Sequence, residues 1–308
     1  MHTAKRSQLG MALLLVLVVL TSLGASILLF AMTPSQQRLA SDGRTLQSLQ
    51  RAKEALVAWS VTHRTTPGRL PCPEDTSLIG TPNEGSAQST CSNAALLIGR
   101  LPWRTLGLDN FRDAVGEPLW YVLSPGFRNT APAGSPGVAN GQLVVDGQSN
   151  AAAALIISPG PALPGQLRPM PTAGSPPLVS NYLDLSNASG PFITAGPADA
   201  FNDRVITLTS NDLYKAMTFR VLAEIRGAFG LQNGLWRYHN DHGTFPPNSA
   251  SLASLNFDAT TRAWLSPSGN PNLWFAQVSY SFISSNSARL GMGGNTLTVI
   301  PCSATPCP

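Results

Sequence analysis

The hydrophobic pattern begins with a long apolar stretch near the N terminus. Residues 11–32, MALLLVLVVLTSLGASILLFAM, are twenty-two in number and carry no charge. As a helix, a stretch of this length crosses the roughly 30 Å hydrocarbon core of a bilayer. Lys5 and Arg6 stand before it, and Thr33 and Pro34 stand after it. This charge asymmetry predicts that the short N terminus stays in the cytoplasm and that the rest of the chain is exported.

A cleaved secretory signal peptide is the alternative interpretation of the same stretch. The apolar core of a signal peptide typically spans about 7–15 residues and ends at small side chains. Residues 11–32 are longer than this, but Gly24, Ala25 and Ser26 resemble such an ending. The pattern therefore favours a retained membrane helix and leaves removal of the stretch open.

The segment after the apolar stretch has the pattern of an amphipathic helix. Between residues 35 and 61, apolar side chains recur at steps of three, four or seven, with charged side chains between them. The apolar positions are Leu39, Leu46, Leu49, Ala52, Leu56 and Trp59. We expect this helix to continue the membrane helix after a bend near Pro34.

Beyond residue 68 the pattern changes to short strands, loops and one further helix. Strands are expected within residues 116–122, 143–145, 151–157, 201–208, 278–283 and 296–300. Residues 158–196 are rich in Pro, Gly and Ser and predict a long surface loop. The further helix should begin near Thr209 to Asp212, whose side chains can cap free amides. Its predicted apolar stripe is Tyr214, Met217, Val221, Ile225 and Phe229.

Parts of the sequence are similar to each other. The turn GTFPP at residues 243–247 follows the later helix as GRLP at residues 68–71 follows the first. Residues 269–275, GNPNLWF, likewise resemble residues 116–121, GEPLWY. Such self-similarity predicts a degenerate duplication, with a first helix-plus-sheet unit and a smaller second one. Chance reuse of common turn residues is the alternative.

The composition narrows the class of protein. Charged residues make up only 12% of the 308 residues, while Gly and Pro number 27 and 26; the usual charged fraction is about a quarter. The net charge of +4 includes the Lys5 and Arg6 pair. A small excess of this kind argues against nucleic acid as a partner.

The four cysteines form two close pairs, both within the predicted exported region. An oxidising compartment favours disulfides, so we predict bridges between Cys72 and Cys91 and between Cys302 and Cys307. The first closes a loop of about twenty residues and should contribute roughly 3 kcal/mol, and the second should contribute less. A zinc site is the alternative, but neither pair has the C-x-x-C spacing.

Few residues are candidates for catalysis or metal binding. His63 and Cys72 could form a thiol dyad, although Cys91 offers Cys72 a disulfide partner. His239 and His242 could hold a metal, but the Gly, Thr and Pro residues after them indicate a helix end, where histidine stabilises terminal carbonyls. These two histidines are weak candidates, and no catalytic residue and no cofactor is predicted.

Two further groups of side chains could bind a ligand. Asp109, Asp113 and Glu117 could bind calcium, but their spacing is not that of an EF-hand, which favours solvated turn carboxylates.

A stacking platform for single-stranded DNA would need aromatic side chains beside a basic groove. The candidates are Trp103, Trp120, Trp264 and Trp274, with Arg100, Arg104 and Arg112. Core packing is the simpler interpretation of these tryptophans.

The boundary before the apolar stretch reads KRSQLG followed by MALLL, with Gly10 at the break. This resembles the cleavage site of the type IV pilin-like superfamily, which contains type IV pilins, minor pilins and type II secretion pseudopilins. The resemblance implies that a prepilin peptidase cuts after Gly10 and that Met11 becomes the mature N terminus. The motifs GRLPCP, a second cysteine, LPW-TLG and G-x-P-L-W-Y follow in the same order as in a group of exported prepilin-type proteins. With these motifs the resemblance covers the chain from Gly10 to about residue 215.

Leu15 departs from the pattern of the superfamily. Most members carry glutamate five residues after the cut, where it is thought to pair with the N-terminal amine of a neighbouring subunit. A leucine there implies a minor or tip component instead of a repetitive shaft subunit, because the tip pseudopilin of type II secretion characteristically lacks the glutamate. The small residues Gly24, Ala25 and Ser26 would let neighbouring helices approach closely.

The expectations describe an α+β structural protein, not an enzyme. The resemblance implies a long N-terminal transmembrane and amphipathic helix packed on an antiparallel sheet. Residues 1–10 would be the leader, residues 11–32 the membrane helix, and residues 33–208 and 209–308 a first and a second, smaller pilin-like head. The implied location is the inner membrane, with a single span and the heads in the periplasm, and later a filament.

The implied partners are other pilins or pseudopilins, the prepilin peptidase and the inner membrane. A tip pseudopilin of a type II secretion system is one alternative to a pilus component. A membrane-anchored periplasmic enzyme or binding protein that never assembles is the alternative from another class.

Overall fold

A computed structural model describes residues 14–22, 34–93, 97–129, 143–197, 199–227, 233–265 and 274–302 of the chain. Of the predicted membrane span, residues 14–22 are described, and they are helical. Gly10, Met11, Gly24, Ala25 and Ser26 lie outside the described residues. Within the described ranges, no helix combines the length and the apolar character needed to cross a membrane.

Helix α1, Pro34–Thr62, is the amphipathic helix predicted over residues 35–61. Its second half buries Leu49, Ala52 and Leu56 against the sheet. Leu39 and Leu46, on the same predicted stripe, remain 72% and 53% exposed. The periodicity was therefore correct, but of the apolar stripe only side chains in the second half enter the core. The first half contacts the protein through polar residues, Asp42 with Arg204 and the buried Thr45 with the Ala114 amide.

The described chain forms an α+β structure with antiparallel sheets. Its strands are β1 Ile98–Arg100, β2 Trp120–Leu123, β3 Leu143–Val145, β4 Gln148–Ala152, β5 Ala154–Ser158, β6 Arg204–Leu208, β7 Ser279–Ser284, β8 Ser287–Met292 and β9 Asn295–Val299. A four-stranded sheet has the order β1-β2-β5-β6, and β3 pairs with β4. Strand β5 is buried along its whole length, as its unbroken apolar sequence predicts for a central strand covered on both faces.

The prediction of one strand over residues 151–157 was wrong. The chain forms β4 and β5 there, with a break at Ala153. At this residue the chain leaves the two-stranded sheet and enters the four-stranded one, and Ala153 donates its amide hydrogen to the carbonyl of Leu208. The apolar run does not reveal such a change of partner, because the last residues of β4, Ala151 and Ala152, are apolar like β5.

The prediction of a surface loop over residues 158–196 was only partly correct. The segment contains short 3-10 turns, Val179–Asn181 and Leu185–Ala188. It also buries Tyr182, Leu183 and Phe192 against the outer face of the four-stranded sheet. These side chains complete a second core cluster on the face opposite α1, so the segment is a structural layer of the protein.

Helix α2, Ser210–Arg226, begins where the sequence predicts. Thr209 is its N-cap, and the reciprocal bonds between Thr209 and Asp212 form a capping box. Met217, Val221 and Ile225 of the predicted stripe are buried, whereas Phe229 lies outside the described residues. The local signal was sufficient here because capping depends on residues that are close in sequence.

The remaining helices and the second sheet follow α2. Helix α3 spans Gly234–His242, helix α4 spans Ala259–Leu265, and the sheet has the order β7-β8-β9. Strands β7 and β9 match the predicted segments within one residue. Strand β8 was not predicted, although its buried Ala288, Leu290 and Met292 alternate with more exposed residues. Its period of two was a usable signal.

Candidate functional site

The longest uninterrupted run of exposed apolar side chains among the described residues lies in the helical segment of residues 14–22. Its side chains from Leu14 to Leu20 are 51–65% exposed around the whole helix, and Leu15 is 65% exposed. Fully burying one Leu or Val side chain stabilises a structure by about 1.5–3 kcal/mol. Contiguous apolar surface of this kind marks a site of contact with lipid or protein.

The helical segment precedes α1, whose first half is also exposed at Leu39 and Leu46. The second half of α1 is held to the rest of the protein by packing and by two polar contacts. Lys53 Nζ lies 2.9 Å from the Asp212 carboxylate on α2 and donates to the Thr207 carbonyl on β6. The N-terminal region of the structure thus presents helical surface, while the C-terminal half of α1 is anchored in the core.

Cys72 and Cys91 form the first of the two predicted disulfides, with 5.7 Å between their Cα atoms. Both residues are fully buried in the core under α1. Cys72 therefore does not supply a thiol to His63, whose ring instead packs on Trp59 with 4.4 Å between ring centres. Cys307 lies outside the described residues, so the bridge between Cys302 and Cys307 stays a prediction.

A buried ion network that the sequence did not reveal holds the loop between the two cysteines. Arg100 at the end of β1 places its Nε 2.7 Å from Glu74 Oε2 and its Nη2 3.0 Å from Glu84 Oε1. Glu74 also accepts a hydrogen bond from the Gly85 amide. Burial raises the pKa of Glu74 to about 7, and the charge of Arg100 opposes this. The network closes the loop over the edge of the sheet.

A second polar network joins the segment predicted to be a surface loop to the turn before β6. Asp184 and Asp203 are buried, and each accepts a hydrogen bond from the other's backbone amide, at 3.2 Å and 3.0 Å. Asn187 donates a further bond to Asp203 at 2.9 Å. Burial raises the pKa of Asp203 to about 7. The sequence does not predict this pair, because residues 158–196 have the composition of a surface loop and the contact joins residues nineteen positions apart.

The two candidate metal-binding histidines do not converge. His239 Nε2 lies 3.3 Å from Asn286 Oδ1, and the His239 ring contacts Phe245. The His242 ring stacks on Tyr238 at 4.1 Å between ring centres. Helix α3 ends at this point with a left-handed Gly243 cap, as the alternative interpretation predicted. Among the residues that the structure describes, no group of three His, Cys, Asp or Glu could hold a metal.

The candidate calcium carboxylates have partners within the protein. Asp113 accepts hydrogen bonds from two backbone amides in its own turn and from the Ser158 hydroxyl. Glu117 pairs with Arg168 at 3.1 Å. They are turn and ion-pair carboxylates, but the prediction that they are solvated was wrong for Asp113, which is buried.

The tryptophans considered for a DNA-stacking platform are mostly core residues. Trp120 lies in the core cluster on the outer face of the four-stranded sheet. Trp264 and Trp274 lie in the core cluster beside the three-stranded sheet of β7, β8 and β9. Arg104 lies over the ring of Trp103 at 5.1 Å. Arg220 lies over the ring of Trp264 at 5.0 Å, in the other core. Separate contacts of this kind do not make a continuous stacking surface along a basic groove.

Comparison with known proteins places the chain in no group, because no protein-family model, curated protein or solved structure matches it.

Proposed function

We propose that this chain is a non-enzymatic structural subunit, a minor pilin or pseudopilin that assembles into a type IV pilus-like filament or at its tip. The observation that carries the proposal is the apolar helical surface of residues 14–22, which lies shortly before an amphipathic helix anchored on an antiparallel sheet. Gly10, after a basic leader, supports it from the sequence.

The proposed mechanism is a change of solvent for one apolar helix. Before assembly, lipid of the inner membrane surrounds residues 11–32 and the heads lie in the periplasm. In the filament the same surface packs on helices of other pilins or pseudopilins, and Gly24, Ala25 and Ser26 permit close approach. Leu15 brings no carboxylate that would need a partner in an apolar environment, which favours a tip position, as in a type II secretion system.

The proposal includes two heads, and matched turns support a duplication. After α1, Leu70 donates its amide to the Phe127 carbonyl, and the Tyr121 hydroxyl donates to the Pro71 carbonyl at 3.1 Å. After α3, the corresponding contacts join Phe245 to the Ser285 carbonyl and the Tyr280 hydroxyl to the Pro246 carbonyl at 2.7 Å. Strand tyrosines thus fasten both turns in the same way.

The similarity between residues 269–275 and residues 116–121 supports the duplication less strongly. Trp120 opens strand β2, whereas Trp274 begins a 3-10 turn, Trp274–Gln277. Residues 269–273 lie outside the described residues. The argument for a second head at residues 209–308 therefore depends on the turn contacts and on its own helix-plus-sheet core.

Coexpression of the full chain with a prepilin peptidase tests the proposal. We expect intact mass to show loss of the first ten residues, with Met11 as the mature N terminus. A Gly10→Ala variant should remain uncut, whereas the matched Gly24→Ala variant should be cut like the wild type. Processing of Gly10→Ala at the wild-type position would contradict the proposal.

The same measurement separates the alternatives. A native polypeptide that begins beyond Ala25 would identify residues 11–32 as a discarded signal peptide. A full-length chain that the peptidase never cuts would favour a membrane-anchored enzyme or binding protein that does not assemble.

A further inference from the structure

A cleft with a volume of about 400 Å³ opens beside the four-stranded sheet, between the end of β1, the turn before β2 and the segment before β6. Its charged lining consists of Arg100, Arg112, Arg168 and Glu117. Tyr182 and an apolar rim of residues 169–171, Pro-Met-Pro, complete it. None of the sequence motifs discussed above predicts this cleft.

Two of the three arginines are already neutralised and held in place. Arg168 pairs with Glu117 and donates to the carbonyls of Gly160 and Asn181 at 2.7 and 3.0 Å. Arg100 pairs with the carboxylates of Glu74 and Glu84 described above. Both guanidinium groups therefore form rigid walls of the cleft and contribute little unbalanced charge.

Arg112 is different, because its positive charge is not balanced by a contact. It is exposed, and Nη1 donates to the Gly116 carbonyl at 2.8 Å. In the described part of the chain, its other N–H groups have no hydrogen-bond partner and it makes no ion pair. One positive charge is thus available in the cleft, on a side chain with a planar pair of donors.

Tyr182 supplies a second free donor. The residue is only 4% exposed, and its ring packs on Trp120 with 5.2 Å between ring centres. Its hydroxyl has no hydrogen-bond partner among the residues that the structure describes. The charges of Arg168, Arg100 and Arg112 all act on this phenol and oppose the rise in its pKa that burial causes. Tyr182 lines the cleft, so a bound ligand or water can supply the partner that its hydroxyl lacks.

We propose that this cleft binds a single carboxylate group attached to an apolar substituent, with Arg112 and Tyr182 as its donors. A guanidinium group binds a carboxylate through two parallel hydrogen bonds, and one negative charge balances Arg112. A phosphate dianion fits less well, because Arg112 is the one described arginine of the lining without an ion pair and would balance only one of its two charges. The rim supplies apolar contact, since Met170 is 89% exposed there and its flexible thioether adapts to different shapes.

Two sources present this chemistry, a free aliphatic acid and the C terminus of a polypeptide. Hexanoate represents the first source and N-acetyl-leucine the second. N-acetyl-leucinamide has the same apolar group without the charge and is the matched control ligand. Titration calorimetry of the full chain in lipid nanodiscs measures all three, with inorganic phosphate as a fourth ligand.

We expect at least one carboxylate to bind with a dissociation constant below about 1 mM, and at least tenfold more tightly than the amide or phosphate. Arg112→Gln should weaken binding at least tenfold, and Tyr182→Phe by about two- to tenfold, as one hydrogen bond would. Arg51→Gln, which removes an exposed charge on α1, should change nothing. Tighter binding of hexanoate would indicate a free aliphatic acid as the ligand, and tighter binding of N-acetyl-leucine would indicate the C terminus of a polypeptide.

Binding of neither carboxylate to the wild type would overturn the proposal. Equal affinity for the amide, tighter binding of phosphate, or unchanged binding by Arg112→Gln would overturn it as well. Arg112 is an exposed side chain, so its variant tests the site without disturbing the core. This inference is independent of the proposed assembly, because processing at Gly10 and binding in the cleft are separate measurements.

Discussion

The turn after α1 and the turn after α3 have the same construction but different surroundings. Gly68 and Gly243 both adopt left-handed backbone conformations, with φ of 85° and 70°, and a tyrosine fastens the proline of each turn. The first turn leads directly into a disulfide loop and the buried Glu74–Arg100 pair. The second turn leads into a core of aromatic side chains around Phe245 and Trp274.

The difference shows two ways to fix loops on a small sheet. In the loop between Cys72 and Cys91, a covalent bond and buried charges offset the entropic cost of ordering the chain. The second unit has a compact apolar cluster, and the ion pair formed within its described residues, Arg237–Asp241, is exposed. The stability of the first unit should therefore depend on charge, redox state and pH, whereas the stability of the second unit should depend on the volume of its core side chains.

Removing the central charge of the first unit should have the largest effect. Arg100→Ala leaves Glu74 buried without its cation, and we expect a loss of about 3–5 kcal/mol in the free energy of unfolding. Urea unfolding followed by tryptophan fluorescence measures it. Arg104 is a nearby exposed arginine, and Arg104→Ala should lower the free energy of unfolding by less than about 1 kcal/mol. Equal losses in the two variants would contradict the role given to the buried pair.

A cavity in the second unit should cost slightly less. Leu290 is fully buried in the middle of β8, and Leu290→Ala should lower the free energy of unfolding by about 2–4 kcal/mol. Ile283→Ala, on the exposed side of β7, is the control and should cost less than about 1 kcal/mol. The comparison of the two units would fail if Leu290→Ala proved as mild as its control.

The disulfide of the first unit should contribute about 3 kcal/mol, as the loop-entropy model gives for about twenty residues. The double variant Cys72→Ala/Cys91→Ala tests this by thermal unfolding under non-reducing conditions. The matched double variant of Cys302 and Cys307 should cost less, about 2 kcal/mol, because its predicted loop is shorter. A larger loss at the second pair would reverse the comparison.

The most gradual effect is a pH dependence located in the first unit. Burial raises the pKa of Asp203 to about 7 from an ordinary value of 3.8, so between these values the folded state binds more protons than the unfolded state. This carboxyl therefore favours folding at low pH, and the contribution is lost at up to about 1.4 kcal/mol per pH unit as the pH rises to 7.

Asp203→Asn keeps the shape of the side chain and removes its titration. Its stability relative to the wild type should increase steadily from pH 4 to pH 7 in urea titrations at each pH. Asp146→Asn, at an exposed aspartate whose pKa the hydrogen bonds from Thr194 lower, should show no such increase. If the difference in the free energy of unfolding between Asp203→Asn and the wild type stayed constant from pH 4 to pH 7, Asp203 would not titrate in this range.

Local signals allowed several elements to be predicted closely. The periodicity of α1, the capping box at Thr209 and the spacing of Cys72 and Cys91 each depend on residues near one another in sequence, and the structure has all three. Strand β8 was missed although its alternation was present, and the strand over residues 151–157 was merged because a change of pairing partner leaves no local mark.

The sequence by itself determined the uncharged apolar stretch of residues 11–32, the amphipathic character of α1 and the helix start at Thr209, because each is a matter of local periodicity or capping. Only the tertiary structure decided that Leu49 is buried while Leu46 is exposed, that Asp184 meets Asp203, and that Arg100 lies between two glutamates. These outcomes depend on which distant segments come together, since burial and charge pairing are properties of the assembled layers and not of the segments that form them.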